Sequence, residues 1–302
     1  MKLLVTGREG QLARSLVERA AHHPGIEIIA IGRPELDLEV PGAAEAIIKS
    51  VAPDIVINAA AYTAVDRAED EPERAMRING DGAGEVAAAA RALGAPVIQV
   101  STDYVFDGTS DEPYTEDAAT NPLNVYGRSK LAGEELVRAA NPDHLILRTA
   151  WVYSPFGNNF VKTMMRLAET RDTVSVVADQ TGNPTSALDL ADAMLKAVRA
   201  TSDDEGIGLG RTYHLAGTGS AGWFDVAVAV FDECKRLGLP TAEVQPTTSE
   251  RWPTKAPRPA NSRLDSARFE RDFRHDMSGW RRSLAAVIRR LASSDDLPDV
   301  HL

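Results

Sequence analysis

The chain has 302 residues, 43% of them hydrophobic and 25% charged, so it can bury a large core without cross-links. Its one cysteine, Cys234, excludes an internal disulfide and fits a reducing compartment; its place in the apolar run from Val226 reads as a packed thiol, not a nucleophile. A net charge of −11 without a Lys/Arg block argues against a nucleic-acid partner and requires that any anionic ligand be held by particular local cations.

The apolar stretch at the N-terminus is too short for a signal peptide and no later run can span a bilayer, so a cytoplasmic protein without a membrane partner is expected. Apolar residues 2–6 followed by Gly7 read as a buried strand, and Gln11 to His22 as an amphipathic helix with Leu12, Leu16 and Val17 on one face. Ile26 to Ile31 predicts a second strand. Pro41 to Val51 predicts a helix with Pro at its start. Asp54 to Asn58 is a third strand, and one Ala-rich helix is expected from Glu73 to Leu93. Pro96 to Val100 is a fourth strand, Asn124 to Ala140 a helix and His144 to Arg148 a fifth strand. Strands alternating with helices predict an α/β fold, a doubly wound parallel sheet covered on both faces.

Beyond Arg148 the pattern loosens. Segments 151–160, 178–186 and 244–264 are rich in Pro, Gly, Asn and Thr, with helices expected at 159–169, 186–199, 222–236 and 279–292. Tyr213 to Ala216 reads as a short returning strand. Residues 201–210 are expected to be a surface loop and 293–302 a frayed tail. Residues 1–148 are expected to form a dinucleotide-binding Rossmann domain. Residues 149–302 are expected to form mostly a smaller substrate-binding lobe, with parts of 186–216 returning to the sheet.

Gly7-x-x-Gly10 lies between the first strand and the first helix. Gly7 permits the tight turn, Gly10 lets backbone approach a pyrophosphate, and the small Ala13 fits where helix meets sheet. Strand two ends Ile31-Gly32-Arg33. An acid there would hold the ribose 2′-hydroxyl of NAD; Arg33 suits a 2′-phosphate, or is simply a solvated arginine. Asp37 and Leu38 lie beyond it, toward the adenine. Ala59, Ala60 and Ala61 end strand three, either to let a cofactor lie on the backbone or as a plain Ala-rich turn.

Strand four ends Ser101-Thr102-Asp103-Tyr104, and Tyr126 and Lys130 follow at i and i+4 on one helix face. No other tyrosine has Lys four positions on. Reduction of a ketone develops alkoxide charge and needs a proton donor, which Tyr126 supplies. A nearby ammonium, Lys130, lowers the phenol pKa and holds the nicotinamide ribose. Thr102 fixes the carbonyl oxygen.

The chain resembles the dTDP-4-dehydrorhamnose reductase family of extended short-chain dehydrogenases. The resemblance runs nearly end to end. It is carried by Gly7-x-x-Gly10-Gln11, Asn58-Ala59-Ala60-Ala61-Tyr62-Thr63-Ala64-Val65-Asp66-x-Ala68-Glu69, Ser101-Thr102-Asp103-Tyr104-Val105-Phe106-Asp107-Gly108 and Pro122-Leu123-Asn124-Val125-Tyr126-Gly127-x-x-Lys130. It continues through Arg148-Thr149-Ala150-Trp151-Val152-Tyr153, Asp179-Gln180-x-Gly182-x-Pro184-Thr185 and Arg258-Pro259-x-x-Ser262-x-Leu264. The resemblance implies NAD(P)H-dependent reduction of a 4-keto-6-deoxysugar nucleotide at C4, with Thr102, Tyr126 and Lys130 catalytic; Arg33 in place of an acid predicts NADPH preferred and NADH usable. It implies that Gln11, Leu12, Tyr62, Thr63 and Ser101 join the cofactor site. Thr102, Asp103, Tyr104, Val105 and Trp151 would face the sugar, with Trp151 an apolar ring for its deoxy face or an ordinary core tryptophan. Asn158, Asn159, Gln180 and Arg258 would lie toward the nucleotide diphosphate, where the Arg258 guanidinium can pair bidentately with phosphate.

Two alternatives remain at this stage. Sibling sugar-nucleotide dehydratases place Asp-Glu after the Thr, whereas Asp103 is followed by Tyr104, and an epimerase is a further sibling. A non-catalytic NADP-binding subunit, like the regulatory subunit of methionine adenosyltransferase, is disfavoured by the intact Thr102, Tyr126 and Lys130. Some family members dimerise through acids that share a magnesium ion. Here the aligned positions are Ser15 and Leu188, and the C-terminal helix carries Arg281, Arg282, Arg289 and Arg290 with no acid from Trp280 to Ala292. Magnesium takes hard oxygen ligands, so no metal is expected and a monomer is.

Overall fold

The structure is a computed structural model that describes residues 1–203 and 206–293. Its first part alternates β1 (Lys2–Thr6), α1 (Gln11–Arg19), β2 (Glu27–Ile31), α2 (Ala43–Val51), β3 (Ile55–Asn58), α3 (Val65–Ala68), α4 (Pro72–Met76), α5 (Gly82–Ala92), β4 (Val97–Thr102), α6 (Val125–Ala140) and β5 (His144–Thr149). Then follow β6 (Val152–Tyr153), α7 (Phe160–Ala168), β7 (Thr173–Val177), β8 (Thr181–Gly182), β9 (Thr185–Ser186), α8 (Ala187–Asp203) and β10 (Arg211–His214). The last elements are β11 (Ala221–Gly222), α9 (Trp223–Arg236), β12 (Glu243–Thr247), α10 (Ala267–Phe273) and α11 (Trp280–Ser293).

Six strands form one sheet in the order β2-β1-β3-β4-β5-β10, and every neighbouring pair is parallel. Side chains alternate faces along a strand, and both faces here are apolar. Leu3 and Val5 of β1, with Ile55 and Ile57 of β3, join a core built with α1, α8 and Phe269. Leu4 and Val56, between them, join a second core with Ile48, Val86 and Val137 from α2, α5 and α6. The sheet is therefore doubly wound. The chain leaves β1 toward β2 on one side and returns to β3 on the other, which opens a crevice at the C-terminal ends of β1 and β3.

A third core lies between α7, α9, α11 and a two-stranded ribbon in which β7 and β12 run parallel. Residues of α8 and β10 belong to the main sheet's core instead.

The structure corrects several local expectations. The second helix starts at Ala43, because Gly42 adopts φ 77° and Pro41 lies outside the helix. The single helix expected over 73–93 is α4 and α5 joined by a π turn at Arg77–Asp81. Close packing against α6 accounts for the wider turn: a Cβ on Gly133 would stand 2.1 Å from the Asn79 carbonyl oxygen. Residues 201–203 are helical, as the end of α8, and Thr201 Oγ1 donates to the Ile207 carbonyl at 2.9 Å. Residues 204–205 and the expected tail from 294 lie outside the described residues. The segment 244–264 was expected to be irregular, yet it holds most of β12, a polar strand that tolerates Pro246 because it pairs on one side only. Helix α10 escaped notice because it is a single short stretch.

Candidate functional site

The crevice is lined by the turns after β1, β2 and β3. Gly7 stands at φ 90° and donates to the Ile31 carbonyl at 2.8 Å, tying the first turn to β2. A Cβ on Gly7 would lie 3.1 Å from Ala60 Cα, so the backbones of the first and third turns run close together. Gly10 starts α1 without any side-chain cap, and no acid occupies the first turn, so the positive end of the helix faces the crevice unopposed. Below it runs a buried polar ladder that the sequence reading did not single out. Thr6 Oγ1 donates to Asn58 Oδ1 at 2.6 Å and accepts from the Ala60 amide at 3.0 Å, and Asn58 Nδ2 donates to Gln99 Oε1 at 2.7 Å. The available signal was Thr6 and Asn58 at the ends of two apolar strands and Gln99 between Ile98 and Val100 in a third.

The other expected cofactor residues divide. Arg33 is exposed beyond the end of β2, and its carbonyl accepts from Arg8 at 3.1 Å. Asp37 is half-buried and accepts from the Glu39 amide at 3.0 Å. Leu12 and Leu38 are buried in the two sheet cores, so their side chains face away from the crevice. Ala59 and Ala61 remain half-buried at the crevice and Thr63 is exposed. Asn79 clamps Tyr62 through its amide, at 2.7 Å, and its carbonyl, at 3.0 Å. Gln11 is engaged structurally: its Oε1 accepts from Ser154 at 2.8 Å and Asn159 at 3.0 Å. Ser101 donates to Glu134 at 2.6 Å, on the side buried beneath the crevice.

The end of β4 and the start of α6 carry the chemistry. Asn124 caps α6 by accepting from the Gly127 amide at 2.8 Å. Gly127 is required there, since a Cβ would stand 2.2 Å from the Tyr104 carbonyl oxygen. This contact brings Tyr126 against the end of β4, where Tyr104 meets its ring edge-on at 5.8 Å and the Thr102 side chain lies beside its hydroxyl. Lys130, one turn on, donates to the Val100 carbonyl at 2.7 Å. The sequence reading expected Lys130 to lower the Tyr126 pKa. The structure shows the reverse among the protein's own groups: burial pushes Tyr126 up to about 12, opposed by Thr102, while burial pulls Lys130 down to about 8. The reason is desolvation, which disfavours the charged form of each group.

Glu134 lies a further turn along α6, fully buried and gripped by Arg148 at 2.8 and 2.7 Å; its charge favours the Lys130 ammonium. Asp103 is buried, and its Oδ1 accepts from Thr102 at 2.9 Å. Burial lifts its pKa to about 6; Ser262 lies beside the carboxylate, yet Oδ2 makes no well-formed hydrogen bond.

On the sugar side, Val105 is buried under the site with Phe106 and Leu264. Trp151 is half-buried and donates from Nε1 to Ser262 at 3.1 Å. Asn158 is exposed, and Asn159 caps α7 by accepting from the Lys162 amide at 3.2 Å. Gln180 donates to Ser249 at 2.9 Å. Arg258 is not a free phosphate fork here, because its guanidinium is already paired with Asp66 at 3.1 and 2.7 Å. Trp223, Asp66 and Glu134 were missed: Trp223 and Asp66 act through partners distant in sequence, and Glu134 acts on Lys130 one turn away but is held by Arg148 of β5.

Residues 1–293 match the family described as RmlD substrate binding domain. The chain is 46% identical over 288 residues to the dTDP-4-dehydrorhamnose reductase of Sinorhizobium fredii, covering 95% of this chain and 97% of the relative. The crystal structure of a Clostridium acetobutylicum dTDP-4-dehydrorhamnose reductase superposes with a TM-score of 0.89 at 40% identity, over 96% of this chain and 99% of that one. The Bacillus anthracis dTDP-4-dehydrorhamnose reductase in complex with NADP gives a TM-score of 0.88 at 35% identity, again over 96% and 99%.

Proposed function

The chain belongs to the RmlD substrate binding domain family, that of the dTDP-4-dehydrorhamnose reductases, and from that membership we propose that it reduces the C4 ketone of dTDP-4-dehydro-L-rhamnose to dTDP-L-rhamnose with a nicotinamide cofactor, the last step of dTDP-rhamnose synthesis. The observation that carries this reading is the convergence of Thr102, Tyr126 and Lys130 at the C-terminal end of β4.

The crevice fits a dinucleotide. Its Gly7–Ala60 approach leaves no room for a side chain, and the uncapped start of α1 suits a pyrophosphate. Gly7, Gly10 and the Ala59–Ala61 turn would hold the cofactor, with Lys130 toward its ribose. The cofactor supplies the hydride. Tyr126, held in its protonated form by burial, keeps a proton ready for the alkoxide oxygen, which is the stronger base. Thr102 and Tyr126 together orient the carbonyl oxygen between two hydroxyls. Lys130 has one donor on Val100 and two more to spare. Val105 and Trp151 exclude water from the sugar side. Arg258 would turn from Asp66 to the diphosphate, and Gln180, Asn158 and Asn159 would lie toward the same nucleotide.

Arg33 and the absence of an acid at the end of β2 support NADPH over NADH. We further propose a division between a dinucleotide-binding part, about residues 1–148, and a sugar-binding part, and a metal-independent monomer in the cytoplasm, without nucleic-acid or membrane partners. No helix among the described residues is long and apolar enough to cross a membrane.

Purified protein mixed with NADPH and dTDP-4-dehydro-L-rhamnose should lose NADPH absorbance and form dTDP-L-rhamnose; no oxidation above a sugar-free control would overturn the reading. Light scattering and rate should both be indifferent to EDTA, and a dimer that dissociates on chelation would refute the metal-free monomer.

A further inference from the structure

Trp151 adopts φ 47°, a left-handed backbone conformation that residues other than glycine rarely take. Such a residue persists only where its surroundings over-determine it. Three contacts do so here. The indole lies flat on that of Trp223, with ring centroids 3.6 Å apart and planes 5° from parallel. Its Nε1 donates to Ser262 Oγ at 3.1 Å. Its edge rests on Gly182, where a Cβ would come within 2.5 Å of the ring.

One short ribbon supplies two of the three. β8 and β11 pair antiparallel, Ala221 opposite Gly182 and Gly222 opposite Thr181. The strand that sets Gly182 against the indole edge is thus bonded to the strand that delivers Trp223 to the indole face. Gly222 opens α9 with its amide on Asp225 Oδ2 at 2.9 Å, which fixes where Trp223 begins the helix. Phe160 packs against Trp223 at 4.6 Å, and a small apolar cavity beside the pair is lined by Tyr153, Pro184 and Val226. Ser262, the third anchor, also lies beside Asp103, whose carboxylate accepts from Thr102.

We propose that Trp223 is a positioning residue for the sugar-nucleotide site: it clamps the Trp151 indole as a flat wall for the apolar face of the sugar. This rests on the functional reading above, in which Trp151 borders the sugar. Stacking is directional, so a side chain that only fills volume cannot replace it.

The test uses Trp223→Leu, which keeps apolar bulk without a ring, and Trp223→Phe, which keeps a ring. The Leu variant should lose the exciton couplet of the stacked indoles in circular dichroism. Its sugar-nucleotide KM should rise about three- to tenfold, the usual worth of one aromatic pair, with kcat and NADPH KM within about twofold of wild type. The Phe variant should recover most of the lost KM. A folded Leu variant with wild-type sugar KM overturns the proposal. So does a joint loss in kcat, both KM values and Tm that Phe does not rescue, since that marks plain packing. Wild type that fails to turn over the keto-sugar overturns the functional reading and this inference with it, whereas wild-type turnover with unaltered KM in the Leu variant overturns the inference alone.

Discussion

Arg258 grips Asp66 through both terminal guanidinium nitrogens, at 3.1 and 2.7 Å, and so ties the loop around residues 256–258 to α3. The same carboxylate accepts from the Ala256 amide at 3.0 Å. Although burial works against it, these contacts hold the Asp66 pKa below its ordinary value. On the proposed reading, a substrate diphosphate would have to compete with Asp66 for this fork. Arg258→Lys should therefore raise the sugar-nucleotide KM by about tenfold, with kcat little changed, because a point charge cannot reproduce bidentate pairing. Asp66 is half exposed, so its pair contributes little to stability, and Tm should fall by only a degree or two. Steady-state kinetics decide: an unaltered KM removes Arg258 from the diphosphate site.

Tyr126→Phe keeps the ring that Tyr104 meets edge-on and removes the proton donor. Turnover should drop by about two to four orders of magnitude, the usual worth of general acid catalysis, while NADPH titration by fluorescence gives a wild-type Kd. Near-native turnover with chemistry rate-limiting would show that the proton comes from elsewhere.

The pH profile should report Lys130. Burial pulls its pKa down to about 8, with the Glu134 charge opposing that shift. The ammonium is present below that value and lost above it, so kcat/KM should fall as pH rises through about 8. In Lys130→Arg the cation no longer titrates, and whatever activity survives should show no such limb. A profile flat from about pH 7 to about 10 would mean that the ammonium plays no part in the reaction.

Asp103 should leave a signature in stability. Its folded pKa, about 6, lies above that of an unfolded aspartate, so ionisation costs the folded state. The cost is absent below the unfolded pKa of about 4, grows between the two values and is complete above about pH 6. Two pKa units correspond to about 3 kcal/mol at most. Asp103→Asn removes the charge at constant shape. Denaturant unfolding should find it more stable than wild type at neutral pH, with the difference vanishing near about pH 4. A pH-independent difference would mean that the carboxyl is not titrating in this range.

Arg33→Ala should narrow the preference for NADPH over NADH mainly through the NADPH KM, since the lost contact is ground-state binding. The Arg33 side chain is exposed and its backbone carbonyl is held by Arg8, so the fold should tolerate the change. An unchanged cofactor ratio would exclude Arg33 from the site.

Much of this protein was legible in the sequence because its signals are local. Short continuous apolar runs, the glycines at positions 7 and 10, and a Tyr and Lys one helical turn apart are set by neighbours along the chain. Those signals determined the alternating fold, the crevice at its switch point and the Tyr126–Lys130 pair. They did not determine the state of those groups. Whether a phenol is pushed up or down depends on how much water its surroundings exclude, and that is set by Gly127 against the Tyr104 carbonyl and by the whole packed end of β4. The parallel pairing of β12 with β7, the Asp66 carboxylate that holds Arg258, and the Trp223 indole on Trp151 join residues about 70 to 190 positions apart. Such contacts exist only once the cores have brought their elements together, so only the tertiary structure decided them.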